Sequence, residues 1–520
     1  MLGTSRFVSR TIVVAVALAA VVAGVAAVRW SARYRLGTSW DEQGYTNYVV
    51  QLVRESRREG IVAAVRSLRW TDQVRPPMYR AVALPVAQVL GTGTRTLRAL
   101  SLITLLLTGA LLYATARLVA DRALALFASA AFVLSYAPLW ASMHFGTEYG
   151  LYLGTTGLFY VLLRCALRPI EGRGLWLWLA LGASVALGLL SKGTFLLIVV
   201  PAVPVFLLVG WRTGLAVRTR WLVGTATLAG FLAASPWYAV NYPSAIQFAR
   251  NAYKFVRHAA PWLPEAYGRL LGPPLAVLFV VLLVVLAVRR REVRQAMSSP
   301  IVLALSTCVA GAVPMIIFHM SQLNHLMRLV SPALIPTVLG GALLAQAAGI
   351  PNPRHAVVMA LAILLQSAWL FHNFETTRID EWDWTPLRDV ADQRGVPQPV
   401  IKFLGSGVTY NPPSISYPWI LQGRPVEVDW LWRYEQGPMD WSRVDAQVSG
   451  ADVVVTAPDQ KGNAANKEPE DNQYNAQFAA WLERQPAFDP PVELRLGPSR
   501  IQVLVFFRKH AAAGSPGRSP

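Results

Sequence analysis

Charge is scarce in this chain of 520 residues: Asp, Glu, Lys and Arg make up 15%, and only 29 residues are acidic. A soluble domain carries about a quarter charged residues. That deficit, with 54% hydrophobic residues and a mean hydropathy of +0.38, places the chain in a lipid bilayer. Cysteine is nearly absent. The two present, Cys165 and Cys308, each belong to an apolar run, so no disulfide framework and no cysteine-based metal site is indicated. Lysine is rare too: Lys192 is the only one before Lys254. Basic charge is carried by arginine, and the net charge reaches +19. The arginines sit in short clusters between apolar runs. This pattern fits topology signals and contact with anionic lipids, and it argues against a nucleic-acid-binding stripe.

A span needs about 20 apolar residues. Eleven transmembrane segments are expected, near 8–29, 97–116, 123–142, 148–164, 175–190, 194–211, 221–238, 272–290, 299–318, 329–349 and 355–372. The first follows Arg6 and Arg10 and is longer than the apolar core of a signal peptide, so it reads as an uncleaved span. The apolar stretch 78–92 is short and holds Pro85 and Gly91, and it reads as a juxtamembrane or re-entrant helix. With the N-terminus in the cytoplasm, the inner loops carry Arg117 and Arg122, then Arg168 and Arg173, then Arg212, Arg218 and Arg220, then Arg289 to Arg291 with Arg294, and last Arg354. Every inner loop is then basic, as the positive-inside rule requires. The first outer loop, 30–96, is basic as well and stands as an exception.

At about Asn373 polar residues and prolines become more frequent. PVIKFLG (399–405), ADVVVTA (451–457) and IQVLVFF (501–507) read as strands, and 473–484 as a helix. The expected organisation is a polytopic α-helical membrane domain over 1–372 and a soluble α/β domain over 373–510. The tail 511–520 is expected to be disordered.

Several charged residues stand at the outer ends of spans. Asp41 and Glu42 lie a dozen residues past the first span, in WDEQGYTNYVV. A carboxylate there suits a general base for a hydroxyl, or a ligand to a divalent metal. As plain surface residues, two adjacent carboxylates would need no such position. Behind them Tyr45, Tyr48, Val49, Leu52, Val53 and Ser56 recur at helical spacing, which predicts an amphipathic helix lying in the membrane interface. Glu148 begins the fourth span, where a carboxylate is costly unless it has a purpose. Lys192, in LGLLSKGTFLLI, is either an interfacial lysine that snorkels or a point charge for phosphate. Arg75 in VRPPMYR and Arg328 in NHLMRLVSPALIP are further anion-binding candidates, with His325 beside the latter.

Taken in order, these strings resemble the GT-C glycosyltransferases, specifically the protein O-mannosyltransferase and lipid A aminoarabinose transferase family. DEQGY (41–45) looks like the family's D-E-x-x-Y, and RPPMY (75–79) like its K/R-P-P-L-Y. TEYGLYL (147–153) has glutamate where aspartate is usual. LGLLSKG (187–193), SPWY (235–238) and MRLVSPALIP (327–336) complete the series, with Leu329 where tyrosine often follows the arginine. The resemblance covers about 8–372. It implies a GT-C-like fold and a polyprenyl-phosphate-linked sugar, hexose or pentose, as donor. It also implies transfer with inversion to a hydroxyl of a lipid, a glycan or a protein. It implies Asp41 as general base, with Glu42 and Glu148 orienting the acceptor or binding a divalent metal. Lys192, Arg75 and Arg328 would hold the donor phosphate, and Tyr45 and His325 would serve the acceptor or the metal. The choice of Asp41 over Glu42 rests on the resemblance alone. The protein would sit in a bacterial inner membrane with its C-terminal domain in the periplasm. The main alternative is a transporter of a sugar-lipid, which needs polar groups at mid-membrane. A membrane scaffold is a third reading.

Overall fold

The computed structural model describes the chain apart from residues 1, 169, 171, 173, 257–267, 269, 320–329, 351–352, 406, 408, 432–437, 461–473 and 510–520. It divides into two compact units. One comprises Met1–Arg33 and Ile61–Thr377, the other Tyr34–Gly60 and Arg378–Pro520.

The first unit is helical. Among the described residues, seven of its helices are long and apolar enough to cross a membrane, and two bent helix pairs raise the number to nine. The other two expected spans are helical as well: 221–238 lies within Val217–Val256, and the second is the shorter helix Leu334–Ala347. The stretch expected to be short is the helix Met78–Leu90, with Pro85 inside it.

The first helix, Leu2–Arg33, shows how such a unit packs. Ala15, Ala19, Ala23, Ala26 and Trp30 are buried on one face, while Val14, Leu18, Val21 and Val28 are exposed. Small residues inside and large aliphatic ones outside invert the soluble pattern. They let neighbouring backbones approach while the surface dissolves in hydrocarbon. This helix lies along Pro353–Thr376, and Arg29 and Arg33 both reach Glu375, at 2.9 and 2.6 Å.

Where a helix breaks inside such a unit, its carbonyls lose their partners, and water is not there to replace them. Arg122–Val133 and Tyr136–Ser142 meet at 57°. Gln366, fully buried, donates from Nε2 to the Leu134 carbonyl at that break and to the Leu271 carbonyl, both at 2.8 Å. Gly272, next to Leu271, has φ +91, and a Cβ there would lie 2.7 Å from Gln366 Oε1. Gln366→Leu keeps the volume and leaves both carbonyls unpaired. At about 1–3 kcal/mol for each buried group left unsatisfied, this variant is expected to lower the thermal midpoint in detergent clearly. An unchanged midpoint would show that these bonds contribute nothing.

The second unit is built on a five-stranded sheet of β1 (Val400–Leu404), β2 (Glu427–Trp430), β3 (Val453–Thr456), β4 (Val492–Leu496) and β5 (Ile501–Phe507). Their order is β2-β1-β3-β5-β4; the first three run parallel, and β5 is antiparallel to both β3 and β4. Central β3 is buried at every position, as a strand covered on both faces must be. One face packs Trp384, Leu387, Ile401, Phe403, Tyr410 and Trp419. The other packs Leu404, Val444, Val454, Phe478 and Phe506.

The helix Trp40–Glu59 belongs to this unit. Most of its expected interfacial stripe is instead buried in protein: Tyr45 and Val53 are at most 5% exposed, and Val49 and Leu52 at most 1%, while Tyr48 is half-buried. The helix packs along Pro412–Gln422. Its apolar spacing is real, but a helix with an apolar face serves a protein core as well as a lipid surface.

Candidate active site

In the first unit, two residues picked out separately by the sequence meet. Lys192 Nζ donates to Glu148 Oε1 at 2.7 Å. Glu148 is 4% exposed, and the Lys192 side chain 20%. Glu148 opens the helix Glu148–Leu167, and Lys192 directly follows the helix Gly174–Ser191. A negative group at a helix start and a positive one at a helix end each complement the helix dipole.

Small residues bring the two helices together. Gly150, Gly154 and Gly157 face Ser191, Gly188 and Ser184. A Cβ on Gly154 would lie 2.7 Å from the Gly188 nitrogen and 2.9 Å from the Ser184 carbonyl. No side chain fits at that crossing, and the close approach fixes the register that sets Lys192 beside Glu148. Tyr238, from the SPWY string, anchors the end of the same helix by donating to the Leu189 carbonyl at 2.8 Å.

Arg75 is presented by a turn whose organiser is Asp72. The Asp72 carboxylate is 2% exposed and accepts from the Val74 and Arg75 amides at 3.1 and 3.0 Å. It also accepts from the Tyr79 hydroxyl at 2.9 Å and lies 4.0 Å from the Arg75 guanidinium. Pro76 and Pro77 then stiffen the chain into the helix Met78–Leu90. Tyr149, next to Glu148, donates to the Tyr79 carbonyl at 2.7 Å, so the Arg75 turn and the Glu148 helix share a partner. Asn241 donates to the Arg69 carbonyl at 2.9 Å and holds the approach to this turn. Asp72, Tyr149 and Asn241 did not stand out in the sequence. For Asp72 a signal existed: an aspartate two or three residues ahead of a turn accepts the turn's amides.

In the second unit, the two adjacent carboxylates differ. Ser39 caps the helix Trp40–Glu59, its hydroxyl accepting from the Glu42 amide at 3.2 Å. Glu42 is fully buried and reaches back, accepting from the Thr38 amide at 2.7 Å and the Thr38 hydroxyl at 3.1 Å. This is close to a capping box, with the carboxylate of the third helical residue accepting from the amide just ahead of the cap. Gln43 closes the same loop by accepting from the Gly37 amide at 2.9 Å. Asp41 is half-buried on the first turn, and Tyr45 is buried one turn on. Glu42 thus has a structural task, and Asp41 is the carboxylate more accessible to a substrate. Arg328 and His325 lie outside the described residues. Among the described residues no three His, Cys, Asp or Glu side chains gather into a metal site.

The model of the dolichyl-phosphate-mannose-protein mannosyltransferase family matches residues 74–238, the stretch that carries Arg75, Glu148, Lys192 and the SPWY string. In three dimensions the chain is similar to ArnT from Cupriavidus metallidurans bound to undecaprenyl phosphate. The TM-score is 0.58 and the identity 15%, over 97% of this chain and 99% of that one. It is similar also to the Archaeoglobus fulgidus oligosaccharyltransferase in complex with zinc and sulfate. There the TM-score is 0.53 and the identity 11%, covering 93% and 72% of the two chains. The mycobacterial arabinofuranosyltransferase AftD matches with a TM-score of 0.52 and 14% identity, over 95% of this chain and 40% of that one. A sequence comparison with curated proteins finds none that matches. The fold is that of the GT-C glycosyltransferases, as the resemblance implied: a membrane helical bundle with an appended unit that contains a small sheet.

Proposed function

We propose that this protein is a membrane glycosyltransferase that moves a sugar from a polyprenyl-phosphate donor to a hydroxyl of a lipid, glycan or protein acceptor. The observation that carries this reading is the Glu148–Lys192 pair within the stretch matched by the mannosyltransferase family model. An ammonium has three N–H donors. One is given to Glu148, which leaves two to meet phosphate oxygens, in a geometry that Glu148 sets. Arg75, presented by its proline-stiffened turn, and Arg328 share that charge.

In the reaction, the acceptor oxygen attacks the anomeric carbon on the face opposite the phosphate. The bond from that carbon to the phosphate oxygen breaks, and polyprenyl phosphate leaves. The acceptor's proton passes to Asp41, and the sugar is inverted. The leaving group is already an anion, so it needs neighbouring positive charge more than a proton. An apolar cavity of about 140 Å³ in the first unit, lined by Leu124, Phe127, Leu275, Leu282, Leu334 and Val358 among others, offers room to part of a hydrocarbon chain. The arginines of the expected inner loops support an inner-membrane location, with the N-terminus in the cytoplasm and the second unit outside.

Purified protein in vesicles with a radiolabelled polyprenyl-phosphate sugar tests the reading. Release of polyprenyl phosphate with label on an acceptor is expected. Movement of intact donor between leaflets, with no bond cleaved, would make the protein a transporter.

A further inference from the structure

We propose that the α/β unit is the mount of the Asp41 helix, with Asn47, Arg54 and Glu381 as positioning residues for the base. The inference rests on the reading of Asp41 given above. It starts from the composition of the second unit, in which 34–60 packs with residues more than 300 positions away in sequence. Nothing in a simple loop between spans calls for that.

Three fastenings join the two segments. Ahead of the helix, the Glu381 carboxylate accepts from the Leu36 amide at 2.8 Å and the Arg35 amide at 3.3 Å. Beside them, Tyr34 accepts from the Ile379 amide at 3.1 Å. In the body of the helix, Asn47 donates from Nδ2 to the Pro413 carbonyl at 2.9 Å and to Ser416 Oγ at 3.4 Å. Farther along, the Arg54 guanidinium donates to the carbonyls of Ile420 and Leu421.

Those last two carbonyls belong to the final turn of the helix Pro412–Gln422, whose carbonyls have no partner within the helix. The Gly423 amide also donates to the Ile420 carbonyl, at 3.1 Å; Arg54 adds a donor to both and places a cation at the negative end of that helix. From Asn47 to Arg54, and from Pro413 to Ile420, both helices advance two turns. They therefore run side by side in one direction, held at two points along their length. A helix fixed this way can neither slide nor roll, and Asp41 lies between the Leu36 and Asn47 fastenings. Proton transfer needs heavy atoms within hydrogen-bond reach. A misplacement of about 1 Å can cost about 100-fold in rate.

The test is steady-state transfer by the full-length protein, with undecaprenyl phosphate binding measured alongside. Asn47→Ala with Arg54→Ala is expected to lower kcat about 10- to 100-fold while undecaprenyl phosphate affinity stays within twofold. In an Asp41→Asn background the same pair should lower the residual rate by less than twofold, since a misplaced base no longer matters. Glu381→Gln keeps an acceptor for the amides and should fall between wild type and the double variant. Should the double variant not fold, Arg54→Gln alone must lower kcat several-fold at unchanged affinity. Wild-type kcat in the folded variants, or an undiminished loss in the Asp41→Asn background, overturns the proposal. If Asp41→Asn itself turns over normally, the base assignment falls first, a result distinct from either of these.

Discussion

Asp41→Asn is expected to cut sugar transfer by roughly 10²–10⁴, to a small residual rate, while the protein still folds and binds its donor. The substitution changes little in shape: an amide replaces a carboxylate at a half-buried position on the first turn of a helix. What it removes is the ability to take a proton. General base catalysis is worth roughly 10²–10⁴ in rate, so kcat should fall by that factor in single-turnover assays with labelled donor. Glu42→Gln should behave differently. Glu42 is fully buried and takes two bonds from Thr38. Neutralising it weakens charge-assisted bonds and costs about 1–3 kcal/mol of stability, so the thermal midpoint should drop more than the rate. Full turnover in Asp41→Asn, or a catalytic loss confined to Glu42→Gln, would reverse the two assignments.

The sequence could not separate these neighbours because both are acidic and adjacent. Only the burial of one side chain and its bonds to Thr38 distinguish them. Other parts of the molecule were more legible. The spans were readable because bilayer thickness sets a length that composition must meet. Strands β1, β3 and β5 were readable because strands covered by protein are mostly apolar, as in Val453–Thr456. Strands β2 and β4 were not. Glu427–Trp430 and Val492–Leu496 are the sheet's two edges, and their alternate residues are exposed and polar. The helix Trp40–Glu59 was found and its surroundings misjudged. Its neighbour, Pro412–Gln422, comes from the other end of the chain, and periodicity carries no information about which surface an apolar stripe meets. The same limit hid Asn241, which holds the distant Arg69 carbonyl, whereas the bonds of Asp72 lie within its own turn.

Lys192 and Glu148 were each legible as unusual charges, yet not as a pair, and the pairing changes what mutation of either should do. Lys192→Met keeps the length of the side chain and removes its charge. It takes the ammonium away from a carboxylate that is only 4% exposed. Breaking a buried pair this way costs about 3–5 kcal/mol, so the variant should be strongly destabilised, and lost activity alone would say nothing about phosphate. Glu148→Gln should cost less. Lys192 is 20% exposed at the end of its helix, and a long side chain can move its ammonium toward water. The informative protein is the double variant, Glu148→Gln with Lys192→Met. It removes both charges of the pair together, and most of the lost stability should return. Donor binding should not return, because the phosphate has still lost its ammonium. Thermal midpoints and undecaprenyl phosphate affinities of wild type, both single variants and the double form a thermodynamic cycle that separates the two roles. Wild-type donor affinity in the restored double variant would leave Lys192 as the counter-ion of Glu148 and nothing more.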